Sequence, residues 1–334
     1  MAPLRIVRMK NIKKIALVSS FFFLAFGVLA TAHGDGWTFV VAGHVRPDEN
    51  FTVNPVLDGI VYFSEQNNID ALFLNGDSIY GALKEETEIS REWDTVMAVL
   101  KRFSGEVYFV GGNHDLSTPE LRRYYEERVS APSFAFTKAG VRFIILDSTN
   151  LIGDVHSRKA QLQFLQSELL ALPPETPFFL LVHHALWLKS SGNEGRAMWL
   201  MANRPNDAET TRLWYSEIAP LLRGLRGIVV SGDGGQHRVR YTYKKEDGIL
   251  YLLNGVDGNM QEENVFFVFT ADEGIINVQP ISLMATPRIC SGLNLLYRVD
   301  ILGFPVWGRI WNVALRLLPL SMCTPAFLNN ETTI

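Results

Sequence analysis

Cysteine is almost missing from this chain. Cys290 and Cys323 are the only two in 334 residues, and both lie near the C-terminal end. No C-x-x-C pair occurs, so nothing in the spacing suggests a thiolate metal site. In an oxidising compartment the two cysteines would pair and close the tail into a loop, with two buried free thiols as the alternative. A basic stripe is also missing beyond the first residues, so nucleic acid is not expected as a partner. There is no internal repeat and no low-complexity linker. What remains is an ordinary globular composition, 47% hydrophobic and 20% charged, long enough for one large or two small domains.

The N-terminus departs from that ordinary character. Arg5, Arg8, Lys10, Lys13 and Lys14 precede the apolar run Ile15 to Ala30, and Ala30-Thr31-Ala32 follows. A basic segment, an apolar segment and a small-residue end describe a signal peptide over residues 1–32, or a signal-anchor if it is not cleaved. Either predicts an exported protein, periplasmic or extracellular, in the second case tethered through its N-terminus. Cleavage would remove five basic residues and no acidic one, moving the net charge from −4 to −9.

From Trp37 onward, short β-rich runs alternate with longer helical patterns. Residues 37–43, 71–75, 106–110, 141–147, 178–182 and 227–231 are continuous apolar runs and predict buried strands. Residues 53–66, 86–103, 119–129, 157–172 and 210–222 predict helices, with Thr118-Pro119-Glu120 as a helix start. After Ser231 the pattern turns to β alone, at 237–243, 249–254, 264–270 and 274–279. An α/β domain whose sheet faces a second, partly antiparallel sheet would account for this order. The domain is expected over 33–286, with 189–209 as an inserted loop of the kind that forms a lid or binding segment. In that region Trp187, Trp199 and Arg204 would receive a sugar or nucleoside group, or pack the loop down. In the tail from 287 to 334, Trp307, Ile310, Trp311, Ala314 and Leu318 share a helical face, opposite Arg309, Asn312 and Arg316. Such a helix either docks on the domain or lies at a membrane surface.

Polar residues recur where the apolar runs end. His44 follows the first, Asp77 the second, Asn113 and His114 the third, His183-His184 the fifth and Asp233 the sixth. In open α/β sheets ligands bind at the C-terminal strand edge, so these groups should converge. Gly112-Asn113-His114-Asp115 is the richest of the turns. It offers a neutral oxygen ligand, an imidazole to move a proton, and a carboxylate to orient that imidazole.

These motifs resemble those of the calcineurin-like metallophosphoesterase superfamily, over roughly residues 37–280. Gly76-Asp77 and Gly112-Asn113-His114-Asp115 match two of its motifs, His183 matches a third, and Phe143-Ile-Ile-Leu-Asp147-Ser148 is also similar. The resemblance implies an αββα fold, two sheets flanked by helices, with one or two divalent metal ions (manganese, iron or zinc) at the strand ends. It implies that Asp77 bridges the ions, that Asn113 and His183 bind the second, and that His114, oriented by Asp115, protonates the leaving group. Two dications about 3.5–4 Å apart need a negative charge between them, and together they activate water for attack on phosphorus.

The first and last motifs depart from the pattern. His44-Val45-Arg46 stands where Asp-x-His is expected, and Gly232-Asp233-Gly234-Gly235-Gln236-His237 where Gly-His-x-His is expected. Asp233 and His44 remain candidate metal ligands. His237 is a ligand if the loop shifts by two residues, and otherwise belongs to the next strand. Arginine does not coordinate metals, so Arg46 either holds a substrate phosphate or pairs with Asp48 or Glu49. The expected activity is phosphoester hydrolysis at a remodelled metal centre, on a small-molecule phosphoester or a phosphorylated glycan or nucleotide. The alternative is a catalytically degenerate member that acts as a binding or scaffold protein.

Overall fold

A computed structural model of the chain describes residues 36–47, 55–81, 85–188, 208–234, 241–256 and 265–282. The leader, most of the inserted loop with Trp199 and Arg204, His237, both cysteines and the tail helix lie outside these residues.

Two sheets form the domain. In the first, β1 (Trp37–Ala42), β2 (Ala71–Asn75) and β3 (Glu106–Val110) run parallel, and the hairpin of β10 (Val265–Asp272) and β11 (Ile275–Ser282) pairs antiparallel with β1. The second has the order β4 (Phe134–Lys138), β5 (Val141–Leu146), β6 (Phe178–Val182), β7 (Gly227–Ser231), β9 (Ile249–Asn254), β8 (Tyr241–Glu246). Its four inner strands are parallel, and its two edge strands are antiparallel. Strands that are apolar throughout need cover on both faces, and here both are covered. Side chains alternate along β1: Phe39 and Val41 enter the layer between the sheets, Val40 and Ala42 the layer beneath the helices.

Aromatic rings fill the space between the sheets. Phe39 stacks on Phe269 at 5.1 Å and meets Phe73, Phe143 and Phe179 edge-on at 5.3–5.4 Å. Such pairs add about 0.5–1.5 kcal/mol each beyond the area they bury. On the outer face of the first sheet lie α1 (Pro55–Gln66) and α2 (Glu86–Leu100). The short α3 (Asn113–Leu116) then leads into α4 (Pro119–Arg128), whose Leu121 and Tyr125 join the same core. The outer face of the second sheet is covered from α5 (Ser148–Leu151) and α6 (Val155–Leu170). The rest of that cover comes from α7 (Ala208–Leu213), which continues through a π-helical turn (Trp214–Ile218) into α8 (Ala219–Leu222). No helix among the described residues is long and apolar enough to cross a membrane.

The predicted parallel strands and helices are present, with ends shifted by a few residues. The β segments after Ser231 do not form a sheet of their own. β8 and β9 extend the second sheet while β10 and β11 return to the first, so both sheets are mixed. Residues 237–240 of the predicted 237–243 strand lie outside the described residues, and β8 is described from Tyr241; β4 was not anticipated.

Buried amides join the sheets at the C-terminal ends of their parallel strands. Asn75 at the end of β2 donates from Nδ2 to the Val230 carbonyl (3.1 Å), and Asn254 at the end of β9 donates to the Val41 carbonyl (2.8 Å). Gly43 and Gly232 meet there backbone to backbone. A Cβ on Gly43 would collide with Gly232, and one on Gly232 with the Asn75 carbonyl. This close approach brings the turns after β1, β2, β6 and β7 into one cluster.

Candidate metal centre

Four buried side chains converge at that edge: His44 after β1, Asp77 after β2, His183 after β6 and Asp233 after β7. Each offers a ligand atom within 4.8 Å of the others. Asp77 is central. Its Oδ2 lies 3.0 Å from His44 Nε2, and its Oδ1 lies 3.2 Å from His183 Nε2 and accepts the His114 amide at 3.0 Å. Asp233 Oδ1 is 3.4 Å from His44 Nε2 and 4.0 Å from His183 Nε2. The His44 and His183 rings are near-parallel, with centroids 5.9 Å apart. Both His44 (φ 61°) and Asp77 (φ 55°) occupy the left-handed region, where non-glycine residues persist only when their surroundings hold them.

One atom shows whether a cation fits. His183 Nδ1 donates to the Asn75 carbonyl at 3.0 Å, which leaves Nε2 as a lone pair. Nε2 is buried, has no hydrogen-bond partner, and faces the Asp77 carboxylate. Two lone pairs at 3.2 Å call for a proton or a metal ion between them. Two imidazoles and two carboxylates in a buried cluster suit a transition-metal dication such as zinc, manganese or iron. Without a metal the acids favour a proton: burial alone would lower the His183 pKa, but Asp77 and Asp233 push it up to about 10. His44 follows the same pattern and is raised. Burial would raise Asp77, yet His183 and His44 hold it well below the usual carboxylate range. Asp233 is lowered too, by His44 and His183 against the effect of burial. The neighbouring His184 behaves oppositely. Burial and the charge of His183 push it down to about 4, and its Nδ1 meets Ser148 Oγ at 2.7 Å.

His114 and Arg46 flank the cluster. His114 Nε2 is 3.8 Å from Asp77 Oδ2 and 2.7 Å from Arg46 Nη1, and its Nδ1 bonds the Tyr80 carbonyl. The guanidinium also lies over the Tyr80 ring, 5.7 Å from its centre. With Nδ1–H given to Tyr80, Nε2 accepts from Arg46, and His114 is neutral. Burial and the Arg46 charge lower its pKa, against the pull of Asp77.

Asp115 does not orient His114. Its carboxylate accepts four backbone N–H groups, those of Asp77 (2.8 Å), Ser78 (2.9 Å), Ile79 (3.2 Å) and Gly112 (2.8 Å). Adjacent residues on a helix point in different directions, so Asp115 turns under the loop while His114 faces the site. Burial and nearby Asp77 push the Asp115 pKa up to about 7, against amide donors that favour the charged form. Asn113 opens α3 beside this cluster.

Sequence reasoning missed Asn75, Asn254, Tyr80 and Glu92. Asn75 had a signal, a polar residue closing an apolar strand just before Gly76-Asp77. Glu92 is buried in α2 and accepts the Gly81 amide at 3.0 Å, securing the loop that holds His114. Asp147, in the run noted above, is not part of the cluster. It caps α5 and pairs with Arg122 at 2.8 Å.

Residues 44–208 match the calcineurin-like phosphoesterase family. That match and the two-sheet fold agree with the resemblance to the calcineurin-like metallophosphoesterase superfamily, whose first and last motifs are altered in this chain. Among solved structures it is similar to a dimetal phosphatase from Danio rerio (15% identity, 73% of this chain and 95% of that one, TM-score 0.52). It is also similar to GAP50, the anchor in the inner membrane complex of Plasmodium (13% identity, 74% and 84%, TM-score 0.54). A third similar structure is the purple acid phosphatase PPD1 from yellow lupin (Lupinus luteus) seeds (13% identity, 76% and 52%, TM-score 0.51). No curated protein sequence matches the chain.

Proposed function

We propose that this protein is a metal-dependent phosphoester hydrolase with a remodelled centre. The observation that carries the reading is the buried, unpartnered His183 Nε2 facing Asp77 inside a four-residue ligand cluster. His44, Asp77, His183 and Asp233 would hold the ion. Asn113, carried over from the family motif, is a further ligand candidate, and so is His237 outside the described residues. When bound, a divalent cation supplies Lewis-acid polarisation of a phosphoryl oxygen and makes water a nucleophile at neutral pH. Asp77 fixes the positions of His44 and His183, and Asp115 fixes the loop that carries Asp77. Arg46 binds the phosphoryl oxygens. Once Arg46 turns to the phosphate, the His114 Nε2 lone pair is free to take a proton from water and pass it to the leaving oxygen.

The substrates that suit such a site are small-molecule phosphoesters, including phosphorylated sugars and nucleotides. The basic and apolar leader supports export to a periplasmic or extracellular compartment, and the spacing in the tail supports membrane contact there. One observation favours a second reading, that of a binding or scaffold protein: Arg46 occupies the nitrogen that a proton donor needs. The experiment is metal analysis of the purified protein, with hydrolysis of aryl phosphate monoesters and diesters in added manganese. Bound metal and turnover abolished by Asp77→Asn and by His114→Ala support the enzyme. Bound metal without turnover supports the second reading, and folded protein that takes no metal removes the metal centre.

A further inference from the structure

We propose that the centre takes one divalent cation and that Arg46 supplies its second positive charge, so that a bound phosphate spans a metal ion and a guanidinium. This rests on the hydrolase reading and deepens it. Among the described residues, one group of His, Cys, Asp and Glu side chains is placed to hold a metal. Its four ligand atoms are close enough together to meet on a single ion.

A second dication would have to sit on the outer side of Asp77, near Oδ2. That oxygen already faces His44 Nε2 at 3.0 Å. The next nitrogen donor among the described residues, His114, is 3.8 Å away with both ring nitrogens engaged, one by the Tyr80 carbonyl and the other by Arg46. The approach is therefore lined by a permanent cation instead of a free ligand.

Arg46 is held there by its surroundings. Tyr80 supplies the ring under the guanidinium, and the Tyr80 carbonyl holds His114. Gly81 is pressed against the His114 backbone so closely that a Cβ would collide with its carbonyl, and Glu92 anchors the Gly81 amide. Among the described residues no carboxylate pairs with Arg46. Among the described residues its contacts are a neutral imidazole and a ring face, both of which it can leave for an anion, with the Glu92 carboxylate acting on its charge from further off; Asp48 and Glu49 lie outside these residues. A guanidinium matches phosphoryl oxygens with two parallel donors, which a second metal ion would not.

The test counts ions and measures an anion separately. Chelated full-length protein is reloaded with excess manganese or zinc, washed, and analysed for metal per chain. Inorganic phosphate binding is then measured by calorimetry on the loaded wild type, Arg46→Met and Arg46→Lys. The result expected is one ion per chain in all three, with phosphate affinity reduced about tenfold or more in Arg46→Met and reduced less in Arg46→Lys, which keeps the charge but loses the paired donors. Two ions per wild-type chain overturn the proposal while leaving the hydrolase reading intact. So does unchanged phosphate affinity in Arg46→Met at one ion per chain. Folded wild type that takes no ion overturns both. Both variants keep the long aliphatic stem, and the wild-type ion count decides the first point if either fails to fold.

Discussion

The two halves of the centre are held in different ways. The β2–β3 half is set by backbone: Asp115 gathers four amides from two loops, and Asp77 accepts the His114 amide. The β1–β7 half is set by close approach and side chains. Gly43 abuts Gly232, His44 reaches both acids, and Arg46 rests on His114 and Tyr80. A loop fixed by many backbone hydrogen bonds tolerates little change. A half built from side chains can exchange histidine, aspartate and arginine while the fold stays. The family motifs are intact in the first half and altered in the second, in line with this difference.

Asp77 belongs to both halves, so its replacement should have the largest effect. Asp77→Asn keeps the shape and tolerates the left-handed backbone at φ 55°. It removes the charge opposed to both histidines. Metal content and any phosphoesterase activity should fall to background while the circular dichroism spectrum is retained. Activity that persists in this variant belongs to another site.

The next two changes test the backbone-built half. In Gly76→Ala, a Cβ at φ +87° meets the His183 imidazole. Backbone strain of about 1–3 kcal/mol and displacement of His183 should lower both the melting temperature and metal affinity. Asp115→Asn keeps the volume but offers one acceptor oxygen and two donors to four buried N–H groups. Leaving such a donor unpaired costs about 1–3 kcal/mol. His114→Ala should leave the melting temperature nearly unchanged. Equal melting temperatures for Asp115→Asn and wild type would remove the proposed role of Asp115 in fixing the loop.

Much of this was legible in the sequence because it is local. Continuous apolar runs predicted the parallel strands, and a polar residue after each run placed His44, Asp77, His183 and Asp233 at one edge. Three things were not legible. Asn75 reaches Val230 and Asn254 reaches Val41 across 155 and 213 residues, distances over which no periodicity carries information. Asp115 sits beside His114 in sequence, but the turn of α3 separates them in space. The strand that begins at Phe134 follows a helix and pairs only at the sheet edge, so its half-buried residues lack the continuous apolar run of an inner strand.

Arg46→His tests the side-chain-built half. Replacing the guanidinium with an imidazole removes a permanent cation and adds a nitrogen donor on the outer side of Asp77. Metal content should rise above one ion per chain under manganese saturation, with little change in melting temperature. Unchanged content would mean that Arg46 does not control access to that side, and that the missing donors alone limit the centre to one ion.

The smallest effect is a pH dependence that contrasts the adjacent histidines in metal-free protein. His183 is raised to about 10 from an ordinary 6.5. Its contribution to stability is fully present below about pH 6.5 and is lost as pH rises through about 10. His184 is lowered to about 4, so its contribution is present above about pH 6.5 and is lost as pH falls through about 4. Chelated protein should therefore melt at lower temperature when taken from near neutrality in either direction. A metal ion takes the place of the proton on His183 Nε2, so loading should flatten the alkaline limb, and metal affinity should increase with pH. His184 bonds Ser148 and is outside the ligand cluster, so the acid limb should persist in loaded protein until the ligands themselves protonate. An alkaline limb of equal slope with and without metal would show that the ion does not bind at His183.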